Sequence, residues 1–329
     1  MDRRRFLQGA VAAPLVGALG ASASHAQAWP SRNITMIVAF PPGGQADLAA
    51  RPGAAALERI LGKSVIVQNV SGAGGMIGNA QAARAEPDGH TLLMALSSMT
   101  FLPEAERVME RRPSYEMDQR VPIARVLADP ATLPVMADSP WKTVADLVDD
   151  AKKRPSQIGF SSSGNYGAGH VPMEMFQQAA NMKLLHVPYR GGGPALAAFL
   201  GNQTPVTIQA PGPVWPHVQA GKVRLLATWA DKRTAEMPNI PTMIELGYKD
   251  VEYYIWAGVF APKGTPAPVI NRLRDAMREV MKNPQVTSVF EKAGSPPAYM
   301  DQPEFAKFVE ADAKRLVPVI RKIGKLDEK

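Results

Sequence analysis

The stretch Phe40-Pro41-Pro42-Gly43-Gly44-Gln45-Ala46-Asp47 connects a strand-like run to a helix-like run and indicates the fold class. The residues before it, 34–39, are apolar and β-branched, which is typical of a buried strand. Two prolines end that strand, because proline cannot donate to a sheet ladder. Two glycines then allow a sharp turn that leaves backbone N–H groups uncovered. A loop of this kind, between a strand and a helix, predicts an anion site in an α/β protein.

The composition indicates a globular chain that is long enough for two domains. The 329 residues are 46% hydrophobic and 20% charged, which argues against a disordered protein. The net charge of +7 comes from dispersed basic residues without interleaved aromatics, so we do not expect nucleic acid as a partner. The sequence contains no cysteine, which excludes disulfides, thiolate metal sites and cysteine nucleophiles.

Residues 1–28 are predicted to be an export signal. The stretch Arg3-Arg4-Arg5-Phe6-Leu7 resembles a twin-arginine signal, and an ordinary secretory signal is the alternative. The apolar run that follows is too short for a membrane anchor. Ala26-Gln27-Ala28 offers small residues for cleavage before Trp29. We therefore expect an exported protein in the periplasm of a Gram-negative bacterium.

Strand-like and helix-like runs alternate along the rest of the chain. The first set predicts a strand, helix, strand, helix and strand over residues 34–40, 47–61, 65–68, 76–84 and 91–96. This βαβαβ order implies a parallel sheet covered by helices. A second set predicts strands near residues 158–161, 185–187, 206–209 and 225–228, with helices between them. The segment 100–120 matches neither pattern.

The last part of the chain is predicted to return to the first set. An apolar aromatic strand at 253–260 precedes helices near 269–281 and 303–323. Within the middle of the chain, Thr143 and Asp146 have the spacing of a capping box that opens a helix. The expected fold class is α/β, with mixed, mainly parallel sheets and flanking helices.

Two glycine-rich segments fail the tests for nucleotide binding. The loop Gly72-Ala73-Gly74-Gly75 would need a third glycine at position 77 for a dinucleotide fingerprint, and that residue is Ile77. Gly62-Lys63-Ser64 would need a glycine at position 57 for a P-loop, and that residue is Leu57. We expect no cofactor, while the uncovered N–H groups of the first loop still predict an anion site.

A serine-rich loop follows the predicted strand at 158–161. Its G-x-S-x-G match fails because Ser163 stands where the second glycine is required, so a serine hydrolase is disfavoured. Ser161, Ser163 and Asn165 could instead donate hydrogen bonds to a carboxylate. No two histidines are spaced as metal ligands on one helix face, so we expect no metal site.

The stretch from His186 to Pro194 repeats the pattern of the opening loop. A strand is stopped by Pro188, and Tyr189 and Arg190 then precede three glycines that open a helix. Arg190 could form a bidentate pair with a carboxylate. An equally good alternative is a surface arginine that flanks a turn.

These motifs, in this order, resemble the Bug family, the periplasmic solute-binding proteins of tripartite tricarboxylate transporters. The matching stretches include Phe40-Pro-Pro-Gly-Gly, Pro87-Asp-Gly-His-Thr91, Ser163-Gly-Asn-Tyr-Gly-Ala-Gly-His170, His186-Val-Pro-Tyr-Arg-Gly-Gly-Gly-Pro-Ala195 and Ala261-Pro-Lys-Gly-Thr-Pro266. The resemblance covers nearly all of the chain after the signal. It implies a two-domain, type II Venus-flytrap protein with a hinge and no catalytic residues.

The resemblance also implies domain boundaries, a site and partners. We expect residues 29–130 plus 255–329 to form domain 1 and residues 131–254 to form domain 2. The ligand, a small carboxylate, is expected in the cleft, and permease subunits of the transporter are the expected partners of a monomeric protein. The expected ligand-binding residues are Phe40, Pro41, Gly43, Gly44, Asp47, Gly74, Gly75, Ser97, Ser98, Ser161, Ser163, Asn165, His170, Tyr189, Arg190, Gly191 and Gln209.

The chain departs from the family pattern on the second-domain side of the cleft. Pro205 stands where the family commonly has Asp, so a carboxylate for a ligand amino group is missing. Tyr189, Trp215, Trp256 and Phe40 flank the predicted loops, and they favour a dicarboxylic or aromatic acid over an amino acid. The alternatives are a sensor that docks to a signalling partner and an exported hydrolase that uses Ser161 or Ser163.

Overall fold

The structure is a computed structural model that describes residues 29–326, so the predicted signal at 1–28 lies outside the described residues. Its strands are β1 (Ile34–Val38), β2 (Val65–Asn69), β3 (Thr91–Leu96), β4 (Arg120–Pro130), β5 (Thr132–Met136), β6 (Gly159–Ser162), β7 (Leu185–Pro188), β8 (Val206–Thr207), β9 (Val223–Thr228), β10 (Tyr254–Pro262) and β11 (Met300–Asp301). Its helices are α1 (Gln45–Leu61), α2 (Met76–Ala83), α3 (Leu102–Val108), α4 (Val144–Lys153), α5 (His170–Ala180), α6 (Gly192–Leu200), α7 (Pro211–Gln219), α8 (Ala267–Val280), α9 (Pro284–Lys292) and α10 (Glu304–Ile323).

The strands form two separate sheets. The first has six strands in the order β11-β4-β10-β3-β1-β2, and the second has five in the order β7-β6-β8-β5-β9. Helices α4 to α7 connect strands of the second sheet, and the remaining helices lie in the chain segments of the first. We call each sheet with its helices a unit, the first unit and the second unit. The predicted return of the C-terminal segment to the first set is confirmed by β10 and β11.

Parallel and antiparallel pairings occur in both sheets. Strand β1 pairs in parallel with β2 and β3, as the βαβαβ order predicts, and β6 pairs in parallel with β7 and β8. Strands β4, β5 and β10 pair antiparallel with their neighbours. The predicted mixed sheets are confirmed, and antiparallel pairs take a larger share than "mainly parallel" implies. One reason is that β4 and β10 lie side by side in the first sheet, where β4 leads the chain towards the second unit and β10 brings it back, so they pair antiparallel.

Two connections between the units run side by side. Strand β4 continues into β5 through the single residue Ala131, and the chain returns into β10 after Tyr253. Ala131 N donates to Tyr253 O at 3.1 Å, Trp229 N donates to Ala131 O at 2.9 Å, and Tyr253 N donates to Trp229 O at 2.9 Å. Narrow, bonded connections of this kind are where two units can rotate about a hinge. The predicted domain boundaries, 130/131 and 254/255, lie at or next to these connections, and the division into domains stays a prediction.

Several local predictions are confirmed in atomic detail. The helix predicted over 47–61 ends at Leu61, and Gly62 follows it in the left-handed region with φ 68°, a conformation that favours glycine. Asp146 N donates to Thr143 Oγ1 at 3.2 Å, and Thr143 N donates back to Asp146 Oδ2 at 2.8 Å. This is the predicted capping box at the start of α4.

Four elements were not predicted. Helix α3 and the 3-10 turn Met117–Gln119 lie within the unplaced segment 100–120. Glu106 in α3 accepts hydrogen bonds from Ser114 N and Ser114 Oγ, both at 2.6 Å, so tertiary contacts order this charged stretch. Helix α9 and the two-residue strand β11 were also missed, because they are too short for a clear periodicity. None of the helices within residues 29–326 has the length and apolarity to cross a membrane.

Candidate ligand site between the two sheets

The loop between β1 and α1 is held by the side chain of Asp47. Gly43 N donates to Asp47 Oδ2 at 3.2 Å, and Arg51 Nε donates to the same oxygen at 2.9 Å. Asn69 Nδ2 donates both to Asp47 Oδ1 at 3.1 Å and to Phe40 O at 2.8 Å. These hydrogen bonds therefore hold the loop against α1 and β2 in the absence of a ligand.

The protonation of Asp47 reflects this network. Burial raises the pKa of the carboxyl group, and hydrogen bonds from Arg51, Asn69 and Gly43 together outweigh that effect. The pKa of Asp47 consequently lies below its usual value, so the group is ionised at neutral pH. Both carboxylate oxygens of Asp47 already accept hydrogen bonds from protein donors, so this side chain stabilises the conformation of the loop.

Opposing loops of the two units touch through glycines. A Cβ built on Gly191 would lie 2.3 Å from Pro41 Cδ, and one on Gly44 would lie 3.4 Å from Gly193 N. Gly74 meets the serine loop in the same way, since its Cβ would lie 3.0 Å from Asn165 O. Such distances leave no room for side chains, so glycine at these positions allows the units to close on each other.

A cavity of about 30 Å³ lies inside this contact. Its walls come from both units, and its lining residues are Phe40, Gly44, Gln45, Ala46, Leu96, Ser163, Ala168, Gly169, Gly192, Ile208, Gln209, Ala210 and Ile255. Space of this size holds roughly one water molecule. None of these lining residues carries an acidic or basic side chain.

Four helices begin at the wall of this cavity. The cavity is lined by Gly44 to Ala46 at the start of α1, by Ala168 and Gly169 before α5, by Gly192 in α6 and by Ala210 before α7. The first N–H groups of a helix have no acceptor within that helix, and the macrodipole places roughly half a positive charge there. The cavity is thus surrounded by positive helix ends without a cationic side chain.

The polar side chains of the cavity complete this environment. Ser163 Oγ accepts a hydrogen bond from Gly169 N at 3.2 Å, which leaves its own hydrogen free to donate. Gln209 Nε2 donates to Gly192 O at 3.2 Å, which fixes the amide against α6. The site therefore offers hydrogen-bond donors to an anion, mostly from the backbone.

The structure brings four predicted site residues to the cavity and places others around it. Phe40, Gly44, Ser163 and Gln209 line it directly. Pro41, Gly43, Gly74, Gly75 and Gly191 form the loops around it, and their positive φ angles at glycine and close approaches shape those loops. A binding role for these residues stays a prediction.

Three predicted residues belong to a second, outer chamber of about 300 Å³. Asn165, Tyr189 and Arg190 line it together with Met76 and Met109 from the first unit. Tyr189 Oη donates to Gln203 Oε1 at 3.2 Å, and Arg190 is exposed. The alternative of a surface arginine for Arg190 therefore stays open beside the predicted carboxylate pair.

Four predicted polar side chains have hydrogen-bond partners within the protein, and direct contact with a ligand stays a prediction for each of them. Ser97 Oγ lies 3.1 Å from Tyr253 Oη, and Ser98 Oγ donates to Gly74 O at 3.0 Å. Ser161 Oγ donates to Ala195 O at 3.0 Å, and His170 Nδ1 accepts from Tyr166 N at 3.1 Å. The physical reason is burial, which requires each polar atom to find a partner within the fold.

Sequence reasoning missed several cavity residues, notably Gln45, Gly192 and the apolar wall of Leu96, Ile208 and Ile255. Gln45 and Gly192 directly follow predicted glycines, so extending each loop by one residue would have found them. The apolar residues gave no local signal, because strand residues of this kind are usually core.

The comparisons with known proteins agree with this geometry. Residues 49–325 match the family model described as the tripartite tricarboxylate transporter family receptor. The chain belongs to this receptor family. The family expected from the motifs is confirmed.

Individual relatives resemble the receptor over most of its length. BugT of Bordetella pertussis is 32% identical, with 91% of each chain covered. The solved structure of the periplasmic binding protein BugD has a TM-score of 0.84 at 30% identity and covers 91% of the receptor and 100% of BugD. MatC from Rhodopseudomonas palustris, solved with bound malate, has a TM-score of 0.82 at 25% identity and covers 89% and 100%. The predicted periplasmic-binding-protein fold is thereby confirmed.

Gln45 of the receptor belongs to a buried polar cluster at the hinge side of the cavity. Its Nε2 donates to Asp129, which also accepts from Ser295 Oγ at 2.9 Å. Burial raises the pKa of Asp129 to about 7, against the opposing effect of these hydrogen bonds. Asp129 lies one residue before the end of β4, so this cluster joins the ligand loop to the connection between the units.

A serine–histidine pair also lies in the receptor, and it differs from the one that the hydrolase alternative requires. The serine in this pair is Ser162, whose Oγ lies 2.7 Å from His186 Nε2. Ser162 is fully buried, and burial together with the nearby His170 lowers the pKa of His186 to about 2. A base of such low pKa is a poor general base for a serine hydroxyl at neutral pH.

Two aromatic residues that favoured an aromatic ligand do not reach the cavity. Trp256 is fully buried in the first unit, where its Nε1 donates to Asp312 Oδ2 at 2.9 Å and Phe305 packs edge-on against it. Trp215 covers Gly294, whose Cβ would lie 2.9 Å from the indole ring. Both rings therefore contribute to hydrophobic packing and do not line the cavity, and the preference for an aromatic ligand stays a prediction.

Proposed function

We propose that this receptor captures a small carboxylate between its two units and delivers it to the permease of a tripartite tricarboxylate transporter. The observation that carries the proposal is the meeting of four helix N-termini at one cavity lined by neutral donors. Such ends attract a carboxylate, and a water-excluding site strengthens each hydrogen bond to it.

The available donors are sufficient for useful affinity. A hydrogen bond to a charged group contributes roughly 1.5–3 kcal/mol. Micromolar binding requires about 8 kcal/mol. Four or five such bonds from the helix starts and Ser163 would reach this value after the ordering costs of binding.

Binding requires the units to separate and close again. The cavity of about 30 Å³ is too small for a carboxylic acid of several heavy atoms. We propose that residues 29–130 plus 255–329 and residues 131–254 act as two domains that rotate about the connections at Ala131 and Tyr253. A ligand that contacts both walls favours the closed form by its differential affinity, and the permease can recognise that form.

The cavity favours a plain dicarboxylate over an amino acid. A ligand ammonium group needs a nearby carboxylate, and the lining residues include none. The bound malate in the similar MatC structure supports a dicarboxylate. The case for an aromatic acid is weaker than the sequence indicates, because Trp215 and Trp256 pack elsewhere.

A ligand screen tests the proposal. We expect malate or succinate to raise the melting temperature of the purified protein and to bind with one-to-one stoichiometry in calorimetry. Ser163→Ala should weaken binding about tenfold, because one charge-assisted donor is lost. Failure of all small di- and tricarboxylates to bind would contradict the proposal, and selective binding of glutamate or aspartate would contradict the ligand class.

We also propose that the receptor is a monomeric periplasmic protein without catalytic activity, exported by the signal at residues 1–28. After prolonged incubation with the purified protein, a bound acid and its esters should each be chemically unchanged. Turnover that disappears in Ser163→Ala would support the hydrolase alternative instead. Ligand uptake by vesicles that contain the permease, dependent on added receptor, would distinguish transport from the sensor alternative.

A further inference from the structure

A second pocket, of about 460 Å³, lies beside α10 and shares no lining residue with the cavity between the units. Its floor is β4 and its wall is α10, with the segment before β11 at one end. Much of the lining is apolar, including Ala128, Ala298, Phe308 and Ala311. This size and character are typical of sites for small organic molecules.

Arg125 on β4 places an unpaired positive charge in this pocket. Its Nε donates to Ala298 O at 2.9 Å, and its Cζ lies 4.7 Å from the ring centroid of Phe308. Among residues 29–326, no carboxylate forms an ion pair with Arg125, and its two Nη groups have no protein acceptor. Burial lowers the pKa of Arg125, which shows that its charge is partly desolvated without compensation.

The other charges of the pocket limit what can bind there. Arg315 is already satisfied, because it donates to Asp312 Oδ1 at 3.0 Å and to Glu252 O at 2.9 Å. Asp312 in turn accepts from Trp256 Nε1. Glu252 is also a lining residue, and its negative charge disfavours a second negative charge on an occupant. The guanidinium of Arg125, beside apolar walls, is therefore the group of this pocket that can pair with an anion.

We propose that this pocket binds a monocarboxylate with an apolar body, whose carboxylate pairs with Arg125 and whose body packs against Phe308. The two free Nη groups of Arg125 match the two oxygens of a carboxylate in the bidentate geometry. An apolar body gains from the alanine and phenylalanine walls, and a dianion is disfavoured by Glu252. The site is separate from the proposed transport ligand site.

Titration of the purified protein with benzoate tests this site. We expect saturable binding with a dissociation constant of about 1 mM or tighter, in the presence of excess malate as well as in its absence. Benzyl alcohol, which lacks the charge, and phthalate, which carries a second one, should each bind about tenfold more weakly. Equal binding of benzoate and benzyl alcohol would overturn the proposal.

Two variants locate the bound benzoate. Arg125→Gln removes the charge, and Ala311→Leu fills the pocket from the exposed face of α10 without touching the core. Each should weaken benzoate binding at least tenfold, while Arg59→Gln, an equal charge change on α1, should not. Melting temperatures report whether each variant is folded, and Ala311→Leu keeps the test valid if Arg125→Gln unfolds.

Three further outcomes of the benzoate titration decide whether this pocket is a binding site. No benzoate binding up to about 10 mM overturns the site, whatever malate does. Displacement of benzoate by malate assigns it to the cavity between the units and also overturns the proposal. Benzoate binding that survives a complete failure of dicarboxylates to bind would support this site and contradict only the proposed transport function.

Discussion

Gly193, in the first turn of α6, lies against Pro42 of the opposing loop, so that a Cβ on Gly193 would meet Pro42 O at 2.5 Å. Gly193 has helical backbone geometry, and alanine is normally preferred to glycine in a helix by about 0.5–1 kcal/mol. The glycine is therefore explained by closure of the two units and not by the conformation of α6.

The first prediction is that Gly193→Ala separates closure from folding. The added methyl group should leave the melting temperature of the ligand-free protein unchanged or higher, because α6 is favoured. It should weaken carboxylate binding about tenfold or more, since overpacking typically costs about 1–3 kcal/mol. Calorimetry and thermal unfolding measure the two effects.

The matched control for this substitution is Gly53→Ala within α1. Its Cβ would meet Val280 Cγ1 at 3.9 Å, an ordinary contact away from the cleft. Binding should be unchanged in this variant. Equal loss of affinity in both variants would contradict the role assigned to the contact between Gly193 and Pro42.

The second prediction concerns Asp47, whose hydrogen bonds hold the loop between β1 and α1. Asp47→Asn should lower the free energy of unfolding by about 1–3 kcal/mol, because charge-assisted bonds to Arg51 and Gly43 are lost. Since the pKa of Asp47 is lowered on folding, its stabilisation is present above the unfolded pKa and is lost as pH falls. Urea unfolding at neutral and acid pH measures both effects.

The exposed pair of Glu310 and Lys314 on α10 provides the comparison for Asp47. Its two charged groups are 2.7 Å apart and well exposed to solvent. Glu310→Gln should change stability much less than Asp47→Asn, because surface ion pairs contribute little. A similar cost for both variants would show that Asp47 does not brace the loop.

The third prediction concerns Asp129 in the hinge-side cluster. Its pKa is raised to about 7 in the folded protein, so the folded state retains a proton that the unfolded state releases near pH 4. The contribution of Asp129 to the free energy of unfolding must therefore fall as pH rises from about 4 to about 7. Asp129→Asn should be relatively more stable than the parent at pH 7.5 than at pH 4.5.

Chemical denaturation at a series of pH values tests this sign. The difference in stability between Asp129→Asn and the parent should grow in favour of the variant across this window. A constant difference would mean that Asp129 does not titrate there. The converse trend would mean that its pKa is lowered by Gln45 and Ser295.

The fourth prediction has the opposite pH dependence and concerns His186. Its pKa is lowered to about 2 by burial and by the nearby His170, whose ring centroid is 4.0 Å away. In the unfolded chain His186 takes up a proton near pH 6.5, whereas in the folded chain it stays neutral. The free energy of unfolding therefore decreases as the pH falls below that value. His186→Gln should reduce this acid sensitivity between about pH 6.5 and pH 4.

The comparison at pH 8 provides the control for His186→Gln. Loss of the stacked ring and of the bond to Ser162 should make the variant less stable than the parent there. The difference in free energy of unfolding between His186→Gln and the parent should decrease as the pH falls. A difference that increases at acid pH would show that His186 carries its charge in the folded state.

Much of the first half of the fold could be predicted because its signals are local. The prolines at 41 and 42 follow the end of β1, Gly62 ends α1, and Thr143 begins α4, each through the geometry of a few adjacent residues. Helix α3 could not be predicted, because Glu106 and Ser114 order it through contacts outside the helix.

The candidate site was predicted in part for the same reason. The bare amides near Gly44 follow from the loop sequence, and the structure puts them at the cavity. The serine side chains could not be assigned, because β6 ends at Ser162 and the loop after it does not keep the alternation of a strand. Ser161 Oγ donates to Ala195 O within the second unit, whereas Ser163 lies at the cavity wall.

The sequence by itself determined the α/β class, the turn between β1 and α1 and the receptor family, and it predicted an anion site at the Phe40–Asp47 loop, because strands, turns and helix starts depend on neighbouring residues. Only the tertiary structure decided that α5, α6 and α7 begin beside α1 and that Gln45 meets Asp129, 84 residues away. These placements depend on strand order and on closure of the two units. Long-range packing sets both, and no short stretch of sequence encodes it.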